Sequence, residues 1–112
     1  MTPEDRIRIR HMLDAVTEAL TFTKDACRED LDGNRMLALA IIKELEIIGE
    51  AASKLTAEFK AANSHIPWID IIGMRNRLTH GYFDIDLDRV WDTVVVDLEP
   101  LREELGKIVG MN

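Results

Sequence analysis

The chain of 112 residues has no apolar run long enough to cross a bilayer: the longest, from Leu37 to Ile42, falls far short of the roughly 20 residues that a spanning helix needs. Met1-Thr2-Pro3-Glu4-Asp5-Arg6 likewise lacks the apolar stretch of a signal peptide, so the expectation is a soluble, cytoplasmic protein with no membrane partner. Cysteine is nearly absent. The lone Cys27 has no internal disulfide partner and is expected to be a small buried hydrophobe. With 6 Gly and 3 Pro, no Ser/Gly-rich linker and no repeat, residues 1–112 read as a single domain. Net positive charge is also missing. The 14 basic and 21 acidic residues leave −7, which excludes adhesion to nucleic acid or anionic membrane by bulk charge and leaves room only for a local basic patch.

What is present is helical periodicity over almost the whole length. A first helix is expected from Pro3, capped by Thr2, with Ile9, Leu13, Val16, Leu20 and Cys27 along one stripe and Met12, Ala15, Ala19 and Phe22 widening it. Asp30-Leu31-Asp32-Gly33-Asn34 reads as a turn. A second helix follows through Leu37, Ile41, Leu45, Ile48 and Ala52, with Met36, Ala40, Ile47 and Ala51 beside them. Gly49 inside it costs about 1 kcal/mol relative to Ala, which points to the close approach of another backbone. A short helical piece over 56–62 ends before Pro67. From there a helix is expected through Trp68, Ile71, Ile72, Arg75 and Leu78 toward His80, stopping near Gly81. The last helix carries Leu87, Trp91, Val94, Leu98, Leu101, Leu105 and Ile108 on one seam, with a kink expected at Pro100. The fold class is therefore all-α, an antiparallel bundle of four or five helices.

Chemistry concentrates in Arg75-Asn76-Arg77-Leu78-Thr79-His80-Gly81-Tyr82. No acidic residue occurs between Ile71 and Phe83, although acids make up 21 of the 112 residues. Arg75 and Tyr82, seven apart, share a helical face if the helix runs that far. His80 lies about 140° round from Arg75, so one ideal helix does not aim both at a small target. Either the helix end unwinds, the target is wide, or a second chain completes the pair. Plainer roles stay open: His80 capping the last carbonyls of its helix, Arg75 pairing with a bundle carboxylate such as Glu50, and Tyr82 packing with a wet hydroxyl.

Arg, four residues, His, one residue, Tyr, with Asn76 directly after the Arg, resembles the signature of HEPN-domain proteins, and specifically the HepT-like group paired with small nucleotidyltransferases. Ile47-Ile48-Gly49-Glu50-Ala51-Ala52, then Pro67-Trp68, then Gly73 to Phe83 follow that group's landmarks in order, and the resemblance extends from about Asp5 to Leu105. It implies a homodimeric HEPN-like bundle whose two motif copies face one cleft and cleave RNA without a metal or other cofactor. On that reading Arg75 and His80 are catalytic. Arg75 grips phosphate oxygens with its planar fork, and two His80 imidazoles divide the base and acid roles across the two-fold axis. Asn76 orients ribose or phosphate and Arg77 adds backbone attraction. Tyr82 matches the position that a partner nucleotidyltransferase of the MNT type, the antitoxin, modifies with AMP, and bulky anions beside Arg75 silence the site. The competing reading is a non-catalytic module that binds nucleotide or the nucleotidyltransferase.

Other constellations are weaker. Asp84, Asp86 and Asp88 imitate the opening of a calcium loop, but Arg89 stands where Gly is required and Val95 where the closing Glu belongs, so helix capping is the better reading. His11 and His65 lie far from any zinc-ligand pattern, and no metal site is expected. Arg6, Arg8, Arg10 and His11 could line an RNA groove, or with Glu4, Asp5 and Asp14 form a solvated charged face.

Overall fold

Thr2 starts the first helix by a reciprocal cap. Its hydroxyl accepts from the Asp5 N–H at 2.9 Å, while the Asp5 carboxylate accepts from the Thr2 N–H at 3.5 Å. The computed structural model describes residues 1–80 and 85–110, except the side chains of Thr79 and His80. The described residues form helices α1 (Pro3–Thr23), α2 (Asp30–Gly33), α3 (Arg35–Ser53), α4 (Ala57–Ala62), α5 (Trp68–His80), α6 (Leu87–Asp92) and α7 (Leu98–Val109), with a π-helical turn (Thr93–Asp97) joining the last two. No strand occurs among them, and the fold is the expected all-α bundle. None of these helices is long and apolar enough to cross a membrane.

The core is built on α3. Its residues Ile41, Leu45, Ile48 and Ala52 are buried, with α1 packed on one flank and α5 on the other. On α1, Ile9, Met12, Val16 and Ala19 are sealed from solvent, and α7 covers that helix's far side with Leu98 and Leu105. Asp5 ties this framework together. Its buried carboxylate accepts from the Thr56 N–H at 2.9 Å and from the Thr56 hydroxyl at 2.8 Å, locking the start of α1 to the cap of α4. Burial alone raises the Asp5 pKa, but these donors outweigh it and hold the carboxyl below the usual carboxylate range.

Four expectations change. Helix α1 stops at Thr23, whose hydroxyl bonds back to the carbonyls of Ala19 (2.9 Å) and Leu20 (3.3 Å), so Cys27 lies beyond the apolar stripe and is exposed. Phe22 and Met36 are exposed as well, and Asp30–Gly33 forms a helical turn of its own. The interruption at Pro100 takes the form of the π-helical turn just before it, where the Leu98 N–H reaches the Thr93 carbonyl five residues back. Pro100 has no N–H for the Val96 carbonyl and its ring crowds that oxygen, and a widened turn accommodates both defects. At the start of α6 the Asp86 side chain accepts from the N–H groups of Asp88 and Arg89, so this acidic segment caps a helix.

Glu44 is the one carboxylate on α3 that the core encloses. Burial, and then the hydrogen bond and charge of Glu18 on α1, push its carboxyl up to about 7. A folded-state pKa above the unfolded value near 4.5 means that the associated stability is complete below pH 4.5 and is lost as pH rises through 7. Glu44→Gln is therefore expected to match the wild type at pH 4 and to exceed it at pH 8 by on the order of 1 kcal/mol, a few degrees in Tm. Thermal unfolding at the two pH values checks this; an equal offset at both contradicts it.

Candidate active site

Gly49 determines how Arg75 is held. A Cβ built on Gly49 would lie 2.1 Å from the Arg75 Cβ, 2.9 Å from its Cγ and 3.1 Å from the Ile71 carbonyl oxygen, so α5 crosses α3 directly over a residue that must have no side chain. The close approach expected from an interior glycine is thus an approach of α5. The next residue on α3, Glu50, takes the Arg75 Nη2 as a hydrogen-bonded ion pair, and Lys54 one turn on bonds its other oxygen at 3.3 Å. Arg75 Nη1 donates to Asn76 Oδ1 at 2.9 Å. Among the described residues two of the five guanidinium N–H donors are used, and the group keeps a fixed fork with donors left for an anion. Lys54 first, and Arg75 with it, hold the Glu50 carboxyl below the usual carboxylate range, so the clamp on Arg75 persists into mildly acidic solution.

Arg75 and Arg77 face different spaces. Arg75 borders a depression of about 330 Å³ whose rim also includes Arg8 and His11 of α1 and Lys43, Glu46, Glu50 and Lys54 of α3. Arg77 lines a groove of about 1100 Å³ on the other flank of α5, shared with Met74, Asp70, Val96, Leu101 and Glu104. Two residues apart on a helix is about 200° of rotation, which accounts for the split. Asn76 is exposed between them and hydrogen-bonded to Arg75. The backbone of His80 ends α5, so the Arg-to-His spacing is helical throughout, but its side chain lies outside the described residues, as does Tyr82.

Of the α1 basic stretch, only Arg8 and His11 border the depression. Lys43 and Lys54 were not singled out by sequence reasoning, although Lys43, Ile47, Glu50 and Lys54 advance by four, three and four and so share one helical face. His65 stands elsewhere, 2.9 Å from Glu104, whose carboxyl that bond and Lys107 hold down. Among the described residues no three His, Cys, Asp or Glu side chains gather in a metal-binding group.

A guanidinium fixed by a carboxylate and an amide, five residues before a histidine and beside a cluster of cations, can hold a phosphate and stabilise charge that develops on it. Comparison with known proteins leads to the same chemistry. The chain matches the family "Ribonuclease HepT-like" over residues 12–108. It is 36% identical to "Gamma-glutamylcyclotransferase and putative RNase MJ0434" of Methanocaldococcus jannaschii, across 97% of this chain and 49% of that protein, so it spans about half the length of that relative. It is 34% identical to "Putative RNase MJ0125" of the same organism, across 88% of this chain and 84% of that one. With "Probable ribonuclease HepT" of Thermococcus cleftensis it shares 35% identity across 86% and 91%. No solved structure matches significantly. A family match that takes in α3, α5 and the whole Arg75-to-His80 segment, on an all-α bundle, establishes that the chain belongs to the HepT-like ribonucleases, an RNase of the HEPN type.

Proposed function

We propose that the protein is a metal-independent endoribonuclease, the toxin of a toxin–antitoxin pair, that works as a homodimer through Arg75 and His80. The observation that carries this reading is the preset Arg75 fork, held by Glu50 and Asn76 on the helix that ends at His80. In the proposed reaction a neutral His80 takes the proton of a ribose 2′-OH, and the 2′-oxygen attacks the adjacent phosphorus. Arg75 neutralises the charge that builds on the phosphoryl oxygens. The His80 of the second copy, protonated, gives its proton to the departing 5′-oxygen. The products are a 2′,3′-cyclic phosphate and a 5′-hydroxyl. A single imidazole cannot stand at both ends of an in-line displacement, so the two-fold dimer supplies the second.

The groove beside α5 suits such pairing. Val96, which lines it, is 64% exposed, and Val95 next to it and Ile69 on α5 are exposed at 55% and 88%. A second copy covering them would remove this apolar surface from water. In the same reading Tyr82 is the regulatory acceptor. Its phenolic oxygen, giving up its proton to a base of the partner nucleotidyltransferase, attacks the α-phosphorus of ATP there, pyrophosphate leaves, and the added AMP brings negative charge that competes with RNA for Arg75.

The non-catalytic alternative draws on the net charge of −7, which slows encounter with RNA. Induction of the chain alone in a bacterial host separates the two. Growth arrest that is lost in Arg75→Ala, His80→Ala and the interface variant Val96→Asp supports the toxin. Absence of arrest with the wild type, or arrest that persists in all three variants, overturns it.

A further inference from the structure

Three helices far apart in sequence bring cations to one place. The depression beside Arg75 has the outer face of α3 as its floor, and the helices packed on its two flanks, α1 and α5, contribute the rest of its lining. Arg8 and His11 from α1, Lys43 and Lys54 from α3 and Arg75 from α5 stand against Glu46 and Glu50, so with His11 neutral the balance is four minus two, or +2, on a chain of −7. Among the described residues Glu50 is already engaged by Lys54 and Arg75, whereas Arg8 and Lys43 are in no ion pair. Arg8 is half-buried, and its i,i+3 neighbour His11 borders the same depression. Arg6 and Arg10, equally basic and on the same helix, are exposed and lie outside the depression.

We propose that this depression is a subsite for the RNA backbone flanking the scissile bond, in which Arg8 and Lys43, supported by His11 and Lys54, hold phosphates next to the one held by Arg75. The inference rests on the ribonuclease reading and adds to it the path by which single-stranded RNA leaves the reacting centre. It also reconciles an acidic protein with a polyanionic substrate: attraction is local, and the acidic remainder repels strand that lies off the path. The volume suits a phosphate and its ribose, at the small end of ligand sites.

The test is binding of the purified protein to a single-stranded 2′-O-methyl oligonucleotide, which has no 2′-OH to react, followed by fluorescence anisotropy across a salt series. Arg8→Ala combined with Lys43→Ala is expected to weaken binding about tenfold or more. It should also flatten the plot of log affinity against log salt by about 1.4, two phosphates at roughly 0.7 each for a single strand. Arg6→Ala combined with Arg10→Ala removes the same charge outside the depression and is expected to leave affinity within twofold. Equal weakening by both pairs, no weakening by the first, or no binding by the wild type overturns the subsite. Tighter binding of free AMP than of the oligonucleotide does so too. Should the wild type bind as described and yet leave unmodified RNA intact, the ribonuclease reading fails and the binding site stands.

Discussion

Arg75→Ala is expected to lower the turnover of RNA cleavage by about 10²–10³-fold, the usual cost of removing one group that meets charge developing in the transition state. Stability is expected to change little. The Cβ that lies over Gly49 is kept, Glu50 retains Lys54, and the lost ion pair is partly exposed, where such pairs contribute about 0–1 kcal/mol. Arg75→Lys keeps the charge and loses the fork, so an intermediate loss of about tenfold is expected. Turnover measured beside Tm separates the roles. A variant that cleaves at the wild-type rate reduces Arg75 to a structural partner of Glu50.

Gly49→Ala is expected to damage the site by displacing the helix that carries Arg75. In an open helix the change gains about 1 kcal/mol of propensity. Here the new methyl meets the Arg75 Cβ at 2.1 Å and the Ile71 carbonyl at 3.1 Å, both fixed to the α5 backbone, so no rotamer change relieves it and the helix must shift. Overpacking of this kind costs about 1–3 kcal/mol, and the upper end applies. The expected net loss is about 2 kcal/mol, on the order of 10 °C in Tm. A shift of α5 by about 1 Å carries Arg75 with it and lowers turnover about 10²-fold. Gly106→Ala on α7 is the control: nothing lies within 4 Å of its Cβ, so a small gain in Tm and unchanged cleavage are expected. A Gly49→Ala protein as stable and active as the wild type contradicts the packing described.

The helices were legible because burial in a bundle imposes the 3.6-residue period wherever a helix runs. Thr2-Pro3, Pro67 and Gly49 marked starts and a crossing by local chemistry alone. Periodicity does not report where a helix stops. The stripe continues on paper to Cys27, but the Thr23 hydroxyl claims the last carbonyls and the helix ends short of it. The π-helical turn was likewise invisible. Sequence shows that Pro100 must disrupt the ladder, and the surrounding packing decides between a kink and a widened turn.

Within the candidate site, the segment around Arg75 stood out by its lack of acids, and Glu50 as a bundle carboxylate able to pair with Arg75. That Arg75 and Arg77 part company follows from the 200° between them and was available from the helical period alone. The cationic depression was not available. Net charge averages over the whole surface, and residues 8, 11, 43, 54 and 75 become neighbours only when α1 and α5 flank α3. A total of −7 conceals a local excess of the opposite sign.

The most direct test of the central claim is to incubate the purified chain with single-stranded RNA in EDTA and to identify the ends of the fragments. The account predicts cleavage that leaves 2′,3′-cyclic phosphate and 5′-hydroxyl termini and that disappears in His80→Ala. Intact RNA, cleavage that needs an added divalent metal, or fragments ending in 3′-hydroxyl and 5′-phosphate would contradict it.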